Sequence, residues 1–594
     1  MKYYNRFQPC FFVLLFCFVV SCKKENVTTS TQKEQPLIPL SKGDSYKPTI
    51  LGVQYPNPFD VDMMRKAYSS LTGIKCALEP THKYIRFLPA TQKQYHQLLD
   101  DEAMELYTIP LDYEIREIGD YYIEPGLDKD QITWQYTVVP IDYILPSGIQ
   151  VEILSELFLP DSENIYECTT DISIDSLELT AFTLCGIPEE YYDADTHHNR
   201  PVGSTPQGDI TVENTASNTN VGLRNVKVKY RRWFNFGHTF TDGSGHFVAN
   251  RSYNGKVHVE LEFESPRAKI KGIIGFGPVS SVADNIDVPV GQFKGTAITN
   301  IQFNIPNSSD NTSIAAQRWY AATVCNSLEE THQFCNQDGI LTPPTDLNIW
   351  LTTGQGQALV AGGAAPMFKQ MANSSPLNNV FLNYYLISTG QANFSLVKTI
   401  LQQYLPDVII SYAEVEPSDG VQNLVFHELG HAIHYNKVGN AFWTILVNRE
   451  IFNIANSVTA PSGPDPYDSL HPNDPLNNQI QLCEGFAEYI GDRYTHKRYS
   501  SILGNFYLNF LESFDSKPTQ YPFDSGGAML DLIDSGEPFS TNITDAVSAY
   551  TTSQVFNGLN SSTTSVASYK NSLLVISNNL QQNQVNQLFT SYGF

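Results

Sequence analysis

Two histidines four residues apart, with a glutamate between them, constrain this 594-residue chain more than any other feature. They are His427 and His431 of the segment HELGH, and Glu428 directly follows the first. On an α-helix, residues four apart differ by about 40° in direction and by one turn in height, so both imidazoles reach one point. Such a pair is half of a tetrahedral zinc site. The pattern predicts a helix with two metal ligands, and with Glu428 placed to take a proton from a metal-activated water.

The residues around this segment favour a helix. Ser418 or Asp419 is suited to cap its start, the stretch 424–433 is rich in apolar residues, and Gly439 is suited to end it. The alternative interpretation is an ordinary core helix with two partly buried histidines. A second acidic element further along the chain argues against that alternative.

A catalytic zinc site needs a third protein ligand. A metzincin would carry a glycine at position 434 and a histidine at 437, but the chain has His434 and Lys437. The segment EGFAEY, residues 484–489, lies on a predicted helix and resembles the corresponding element of gluzincin metallopeptidases of the aminopeptidase N and thermolysin type. The resemblance implies that Glu484 is the third ligand of one zinc ion. It also implies that Glu488, one turn later, orients a ligand histidine by a hydrogen bond.

The chain departs from the gluzincin pattern in two ways. Cys483 stands where that element has asparagine, and Glu484 lies 53 residues after His431, a longer connection than in aminopeptidase N-type proteins. The connection contains a predicted helix, 441–456, and a loop rich in Pro, Asp and Asn, 461–478, in which His471 is a rival metal ligand. These departures leave the subfamily open.

The resemblance implies a zinc metallopeptidase in which Glu428 is the general base and the substrate is a protein or peptide. Related enzymes stabilise the oxyanion with a tyrosine or histidine. The segment 520–530 faintly resembles their element, and Tyr521 is the candidate, with Tyr494, His496 and Tyr507 as rivals. Strands within 358–368 and 407–415 would precede the active-site helix and offer an open edge to an extended peptide.

The first residues form a predicted export signal. Lys2 and Arg6 precede an apolar run from Cys10 to Val20, which is too short to span a membrane. The run ends in VVSC, which resembles the lipobox of bacterial lipoproteins and implies that Cys22 carries a lipid. We therefore expect a signal peptide over 1–21, a tether over 22–48, and anchoring to a membrane of the bacterial envelope, at the outer membrane or cell surface.

Changes in pattern along the chain predict a multidomain fold. Residues 49–203 mix helix and strand signals and form an α+β region of unknown role. Residues 204–306 alternate apolar and polar positions, and the turn TDGSGHF resembles that of the transthyretin-like β-sandwich in carboxypeptidase regulatory domains. Residues 307–594 turn helical and form the mainly helical α+β, gluzincin-like metallopeptidase domain.

Charge and cysteine content limit the remaining choices. The formal net charge of −25 is opposite to the basic surface that grips a phosphate backbone, so we expect no nucleic acid as a partner. Export permits disulfides, for which Cys168 and Cys185 are a candidate pair. Two other functions stay open: a surface lipoprotein that binds without catalysis, and a zinc hydrolase that acts on a non-protein amide.

Overall fold

The computed structural model shows an α+β protein with several separate sheets. The structure describes residues 47–122, 124–127, 131–160, 172–188, 191, 203–272, 284–310, 313–353, 362–372, 405–412, 416–457, 465–468, 471, 474–512, 525–534, 543 and 545–594. Cys22 and Tyr521, and with them the predicted lipid site and oxyanion residue, lie outside these residues. Within them, no helix combines the length and apolar character that crossing a membrane requires.

The first region packs three helices against two small antiparallel sheets. Its strands are β1 (Ile50–Gln54), β2 (His82–Leu88), β3 (Tyr113–Glu117), β4 (Gln135–Pro140) and β5 (Gln150–Leu157), paired as β1-β3 and β4-β2-β5. Its helices are α1 (Val61–Thr72), α2 (Gln92–Leu99) and α3 (Ile174–Leu184). Asp60 caps α1 by accepting hydrogen bonds from the backbone of Asp62 and Met63.

The middle region contains two four-stranded sheets. One has the order β10-β6-β15, with β7 also paired to β6, and the other has the order β14-β11-β8-β9. Their strands are β6 (Gln207–Asn214), β7 (Thr219–Gly222), β8 (Lys227–Arg232), β9 (Asn235–Phe240), β10 (His246–Val248), β11 (Val257–Glu262), β14 (Asp287–Phe293) and β15 (Ile301–Ile305). Buried apolar residues of both sheets, such as Ile210 and Leu261, belong to one hydrophobic cluster.

A five-stranded sheet joins the middle region to the last one. Its order is β13-β12-β16-β18-β17, in which β12, β16 and β18 run parallel and the two outer strands run antiparallel. The strands are β12 (Ala268–Gly272), β13 (Asp284–Asn285), β16 (Leu347–Thr353), β17 (Gly362–Ala364) and β18 (Val408–Tyr412). The expected boundary at 306/307 is therefore crossed by a sheet, since β12 and β16 lie on opposite sides of it.

Helices make up most of the rest. They are α4 (Ile314–Asp338), α5 (Ser418–Val438), α6 (Asn440–Ser457), α7 (Asn478–Leu503), α8 (Phe506–Glu512), α9 (Ser525–Asp531), α10 (Thr552–Gly558), α11 (Val566–Ile576) and α12 (Gln582–Ser591). The helices predicted around HELGH, EGFAEY and 441–456 are confirmed as α5, α7 and α6. The predicted cap of α5 is wrong: Pro417 occupies the N-cap, and no side chain caps the helix.

The cysteines correct a second expectation. Cys185 is a free buried thiol, so the predicted Cys168–Cys185 pair is wrong. Cys76 is disulfide-bonded instead. Cys325 and Cys335 both lie on α4 and are free, as expected for two residues ten apart on one unbroken helix.

Candidate metal centre

Two helices form the site because small residues let them approach closely. Gly430 of α5 faces α7, and a Cβ added there would lie 3.0 Å from Cα of Ala487 and 3.2 Å from Cβ of Ile490. A Cβ added to Gly491 of α7 would lie 3.2 Å from Cβ of His427. Without side chains at these two glycines, the helices are close enough for a glutamate on one to reach histidines on the other.

The structure brings the three predicted ligands together. Nε2 of His427 and Nε2 of His431 each lie 3.4 Å from Oε2 of Glu484. One ligand atom from each of the three residues lies within 4.8 Å of the other two. A tetrahedron with zinc–ligand bonds of about 2.0–2.1 Å separates its ligand atoms by about 3.3–3.4 Å. Both nitrogen–oxygen distances match that separation.

Burial and unmet hydrogen bonding also fit a cation. His431 and Glu484 are buried, and Oε2 of Glu484 has no hydrogen-bond partner among the described residues although two imidazoles lie near it. A buried polar atom without a partner costs about 1–3 kcal/mol, which a bound ion would offset. Two imidazole nitrogens and one carboxylate oxygen are a donor set that suits zinc.

The charges within the site depend on one another. Burial alone would raise the pKa of Glu484, but His431 and His427 lower it to about 2. Burial alone would lower the pKa of His427, but the nearby carboxylates of Glu484 and Glu488 hold it well above the usual value. In the absence of a metal, His427 and Glu484 therefore each stabilise the charged form of the other.

Glu488 holds His427 in orientation. Its Oε2 lies 2.8 Å from Nδ1 of His427, on the opposite side of the imidazole from Glu484. A carboxylate that accepts from Nδ1 leaves Nε2 unprotonated and directed at the metal position. This is the arrangement that the gluzincin resemblance implies for Glu488.

The side chain of Glu428 extends from α5 towards the edge strand β17. It is 3% exposed, and its Oε2 has no hydrogen-bond partner among the described residues. Burial raises its pKa to about 7, although His427 and His431 act in the opposite direction. A carboxylate with a pKa near neutrality can both accept and return a proton, which is the requirement for a general base that later acts as an acid.

Strand β17 passes directly beside this carboxylate. A Cβ added to Gly363 would lie 2.5 Å from Oε1 of Glu428, so only glycine leaves room for the side chain. β17 is the last strand in its sheet and pairs only with β18 among the described strands. Among the described residues no strand pairs with its outer edge, and an edge of this kind can pair with an extended chain.

The rival residues lie elsewhere. The His471 side chain is 72% exposed and bonds to Asp468 instead of facing the two histidines. The Tyr494 hydroxyl bonds to Sγ of Cys335, and the Tyr507 hydroxyl bonds to Asp419. His496 contacts the backbone oxygen of Gly504. The predicted Tyr521 lies outside the described residues.

Sequence reasoning missed two further features of the site. Gly363 carries no motif, and its importance depends on a strand pairing that joins distant segments. The Trp443 ring of α6 lies 6.2 Å from the His431 ring, and its Nε1 donates to the backbone oxygen of Ala365. The apolar periodicity of α6 predicts that one face of this helix is buried. It does not predict that this face packs against His431.

Comparison of the chain with protein-family models, with curated proteins and with solved structures finds no match. The likeness to gluzincins therefore depends on the two short segments 427–431 and 484–489 and on the geometry that they form.

Proposed function

We propose that this protein is a zinc-dependent metallopeptidase of gluzincin type. The observation that carries the proposal is the placement of Nε2 of His427 and of His431 at 3.4 Å from the same oxygen of Glu484, which is the ligand separation of a tetrahedral zinc site. The unpaired carboxylate of Glu428 beside this group supports a catalytic role, because a purely structural metal site has no use for it.

The proposed reaction is hydrolysis of a peptide bond. A zinc ion in the site would supply Lewis acidity, which polarises the scissile carbonyl and acidifies the attacking water. Glu428 takes a proton from that water and returns it to the leaving amine. Glu488 keeps His427 in the tautomer that the site requires. The edge of β17 pairs with the extended substrate and sets its carbonyl beside Glu428.

We propose that the rest of the chain places the enzyme in the bacterial envelope. Residues 1–21 direct export, Cys22 carries the lipid, and 22–48 tether the protein to the outer membrane or cell surface. The sheets of 204–306 act as an accessory β-sandwich of transthyretin or immunoglobulin type. The substrates would then be extracellular or envelope proteins and peptides.

The test is Glu428→Gln in the full chain. We expect the variant to keep zinc at the wild-type stoichiometry and to lose cleavage of a peptide library by about 10²–10⁴-fold, the usual contribution of a general base. Glu102→Gln, which alters an exposed glutamate of the first region, is the matched control and should change neither property. A wild-type protein that holds no zinc and cuts no peptide would favour the non-catalytic binding lipoprotein. Zinc binding together with cleavage of only non-protein amides would favour the other hydrolase.

A further inference from the structure

A cavity lies between the first region and the sheet β14-β11-β8-β9. Its volume is about 140 Å³, and a cavity of about 150 Å³ is large enough to hold benzene. Its walls come from α2, from the segments 104–109 and 118–122, and from β8, β11 and β14. None of the lining residues belongs to the candidate metal centre, so a ligand bound here would occupy a separate site.

Strand pairing fixes the charges on one wall of this cavity. The wall carries three cations of β8, which alternate with core residues along the strand: Lys227, Lys229 and Arg231. In the ladder with β11, Lys227 lies opposite Glu262 and Lys229 lies opposite Glu260. Arg231 lies opposite His258 instead, so the third cation has no carboxylate across the ladder.

Arg231 also has no ion-pair partner elsewhere among the described residues. It is 6% exposed, and its guanidinium makes no hydrogen bond with any residue that the structure describes. Burial lowers its pKa, but a guanidinium keeps its charge in proteins. Burial also lowers the pKa of His258 well below the usual value, and Arg231 and Lys256 act in the same direction, so His258 is neutral. A buried cation without a counter-ion costs free energy that a bound anion would offset.

Tyr107 presents a second unmet donor to the same cavity. Its ring centroid lies 5.2 Å from Cζ of Arg231 and 5.2 Å from Nζ of Lys229. The residue is 6% exposed, and its hydroxyl is buried with no hydrogen-bond partner among the described residues. Tyr107 belongs to the first region and Arg231 to β8, so a ligand that uses both donors bridges two parts of the fold.

Carboxylates that line the cavity are paired with other cations. The pairs are Glu105 and Glu262 with Lys227, Glu260 with Lys229, and Asp120 with Arg318. Lys227, which two of these carboxylates approach, lies four residues from Arg231, about 13 Å along the strand. An anion beside Arg231 therefore neutralises its charge without displacing an existing pair.

We propose that this cavity binds a small organic carboxylate of about six to eight non-hydrogen atoms. Its oxygens accept hydrogen bonds from the guanidinium of Arg231 and from the Tyr107 hydroxyl. Its apolar part contacts Leu98 and Met104, which line the same cavity. An organic carboxylate is favoured over an inorganic anion because only the organic one covers this apolar wall. This inference does not depend on the proposed peptidase activity.

The experiment titrates four probes into the full chain by calorimetry. Butyrate has the proposed charge and size, butyramide is its neutral isostere, butylammonium has the opposite charge, and inorganic phosphate has no apolar part. We expect saturable binding of butyrate and at least tenfold weaker binding of the other three. Arg231→Gln should weaken butyrate binding at least tenfold and Tyr107→Phe about fivefold, because each removes a donor. Arg116→Gln is the matched control and should leave the affinity unchanged, because Arg116 is exposed and does not line the cavity.

Thermal unfolding gives an independent measurement, since butyrate should raise the Tm of wild type and not that of Arg231→Gln. The inference is overturned if wild type does not bind butyrate, or if Arg231→Gln binds it as tightly as wild type. Equally tight binding of butyramide, butylammonium or phosphate also overturns it, because the site would then not select an organic carboxylate. If Arg231→Gln does not fold, Tyr107→Phe decides, because it keeps the ring beside both cations: unchanged affinity overturns the inference and a fivefold loss supports it.

Discussion

Two buried groups of charged residues in this molecule are built on opposite principles. The histidine cluster consists of His427, Glu428, His431 and Glu484. The lysine cluster lies on β8 and β11 with one residue from the first region, and consists of Glu105, Lys227, Lys229, Glu260 and Glu262. Both remove charge from water, which costs free energy unless the charges are compensated.

The lysine cluster is compensated internally. Antiparallel register places Lys227 opposite Glu262 and Lys229 opposite Glu260. Nζ of Lys229 lies 2.7 Å from Glu260, and Nζ of Lys227 lies 3.2 Å from Glu105. Each cation therefore has at least one carboxylate at ion-pair distance. Such a group stabilises one arrangement of strands.

The histidine cluster is left incomplete. Oε2 of Glu428, Nδ1 of His431 and Oε2 of Glu484 are all buried without a hydrogen-bond partner among the described residues. The ligand atoms of His427, His431 and Glu484 converge, but some polar atoms of these residues have no hydrogen-bond partner among the described residues. The difference teaches that a satisfied charge cluster indicates structure, whereas an unsatisfied one indicates a site for a ligand.

The largest expected effect is the loss of the metal itself. Glu484→Ala removes the ligand that both imidazoles approach, so we expect zinc to fall from about one ion per chain to near zero and peptide cleavage to fall to background. Glu262→Ala in the lysine cluster should leave zinc content unchanged and lower the free energy of unfolding by about 1–3 kcal/mol, because it removes one of the two carboxylates at ion-pair distance from each of Lys227 and Lys229. Zinc content by elemental analysis and denaturant unfolding measure the two effects. Unchanged zinc in Glu484→Ala would refute the third ligand.

The second prediction concerns opposite pH dependences of stability. Burial alone would raise the pKa of Glu105, but His238, Lys227 and Lys229 lower it to about 2. The pKa of Glu105 is 4.5 in the unfolded chain and about 2 in the folded chain, so between these pH values only the unfolded chain binds the proton. The charged Glu105 therefore contributes its full folding stability above pH 4.5, and this stability is lost as the pH falls towards 2. Glu105→Gln should therefore destabilise the protein at pH 7 by about 3 kcal/mol.

Glu428 has the reverse sign in metal-free protein. Its folded pKa of about 7 lies above the unfolded value of 4.5, so the folded chain binds the extra proton and its stability falls as the pH rises between these values. Glu428→Gln should raise stability at pH 7 by up to about 3 kcal/mol, and the gain should vanish below pH 4.5. Urea unfolding of chelator-treated protein from pH 4 to 8 measures both variants. If both variants changed the free energy of unfolding at pH 7 in the same direction, the contrast between the two clusters would be refuted.

The third prediction concerns the space beside Glu428. Gly363→Val places side-chain atoms where the Glu428 carboxylate lies, so we expect kcat/KM to fall by about 100-fold while zinc is retained. Gly243→Val is the control, because a Cβ at that exposed turn residue meets no atom within 4 Å. Equal activity of the two variants would mean that β17 does not border the reacting groups.

The smallest expected effect concerns orientation of a ligand. Glu488→Gln keeps a hydrogen-bond acceptor near Nδ1 of His427 but removes the charge, and we expect zinc affinity to fall by about tenfold. Competition with a chromogenic chelator measures that affinity. Glu329→Gln on α4, outside the histidine cluster, should leave it unchanged. Affinity unchanged in both variants would leave Glu488 with no role in holding His427.

Local patterns were sufficient for much of this protein. Helical spacing predicted α5, α6 and α7, and alternation predicted strands such as β8 and β11, because each pattern reports which face of a single element is apolar. The four-residue spacing of His427 and His431 predicted a common point for two imidazoles from helix geometry alone. The α+β class followed from the mixture of such elements along the chain.

Other features depend on contacts between segments that are distant in sequence, which no local pattern reports. The 3.4 Å approach of Glu484 to both histidines exists because Gly430 and Gly491 let α5 and α7 pack closely across an intervening helix. The neighbourhood of Gly363 and Glu428 depends on which strand ends the sheet, and the contact of Trp443 with His431 depends on how α6 packs against α5. The sequence alone thus specified the two histidine ligands, because they lie on one helix. The tertiary structure decided that Glu484 joins them and that β17 lies beside Glu428, because these contacts depend on the packing of separate elements.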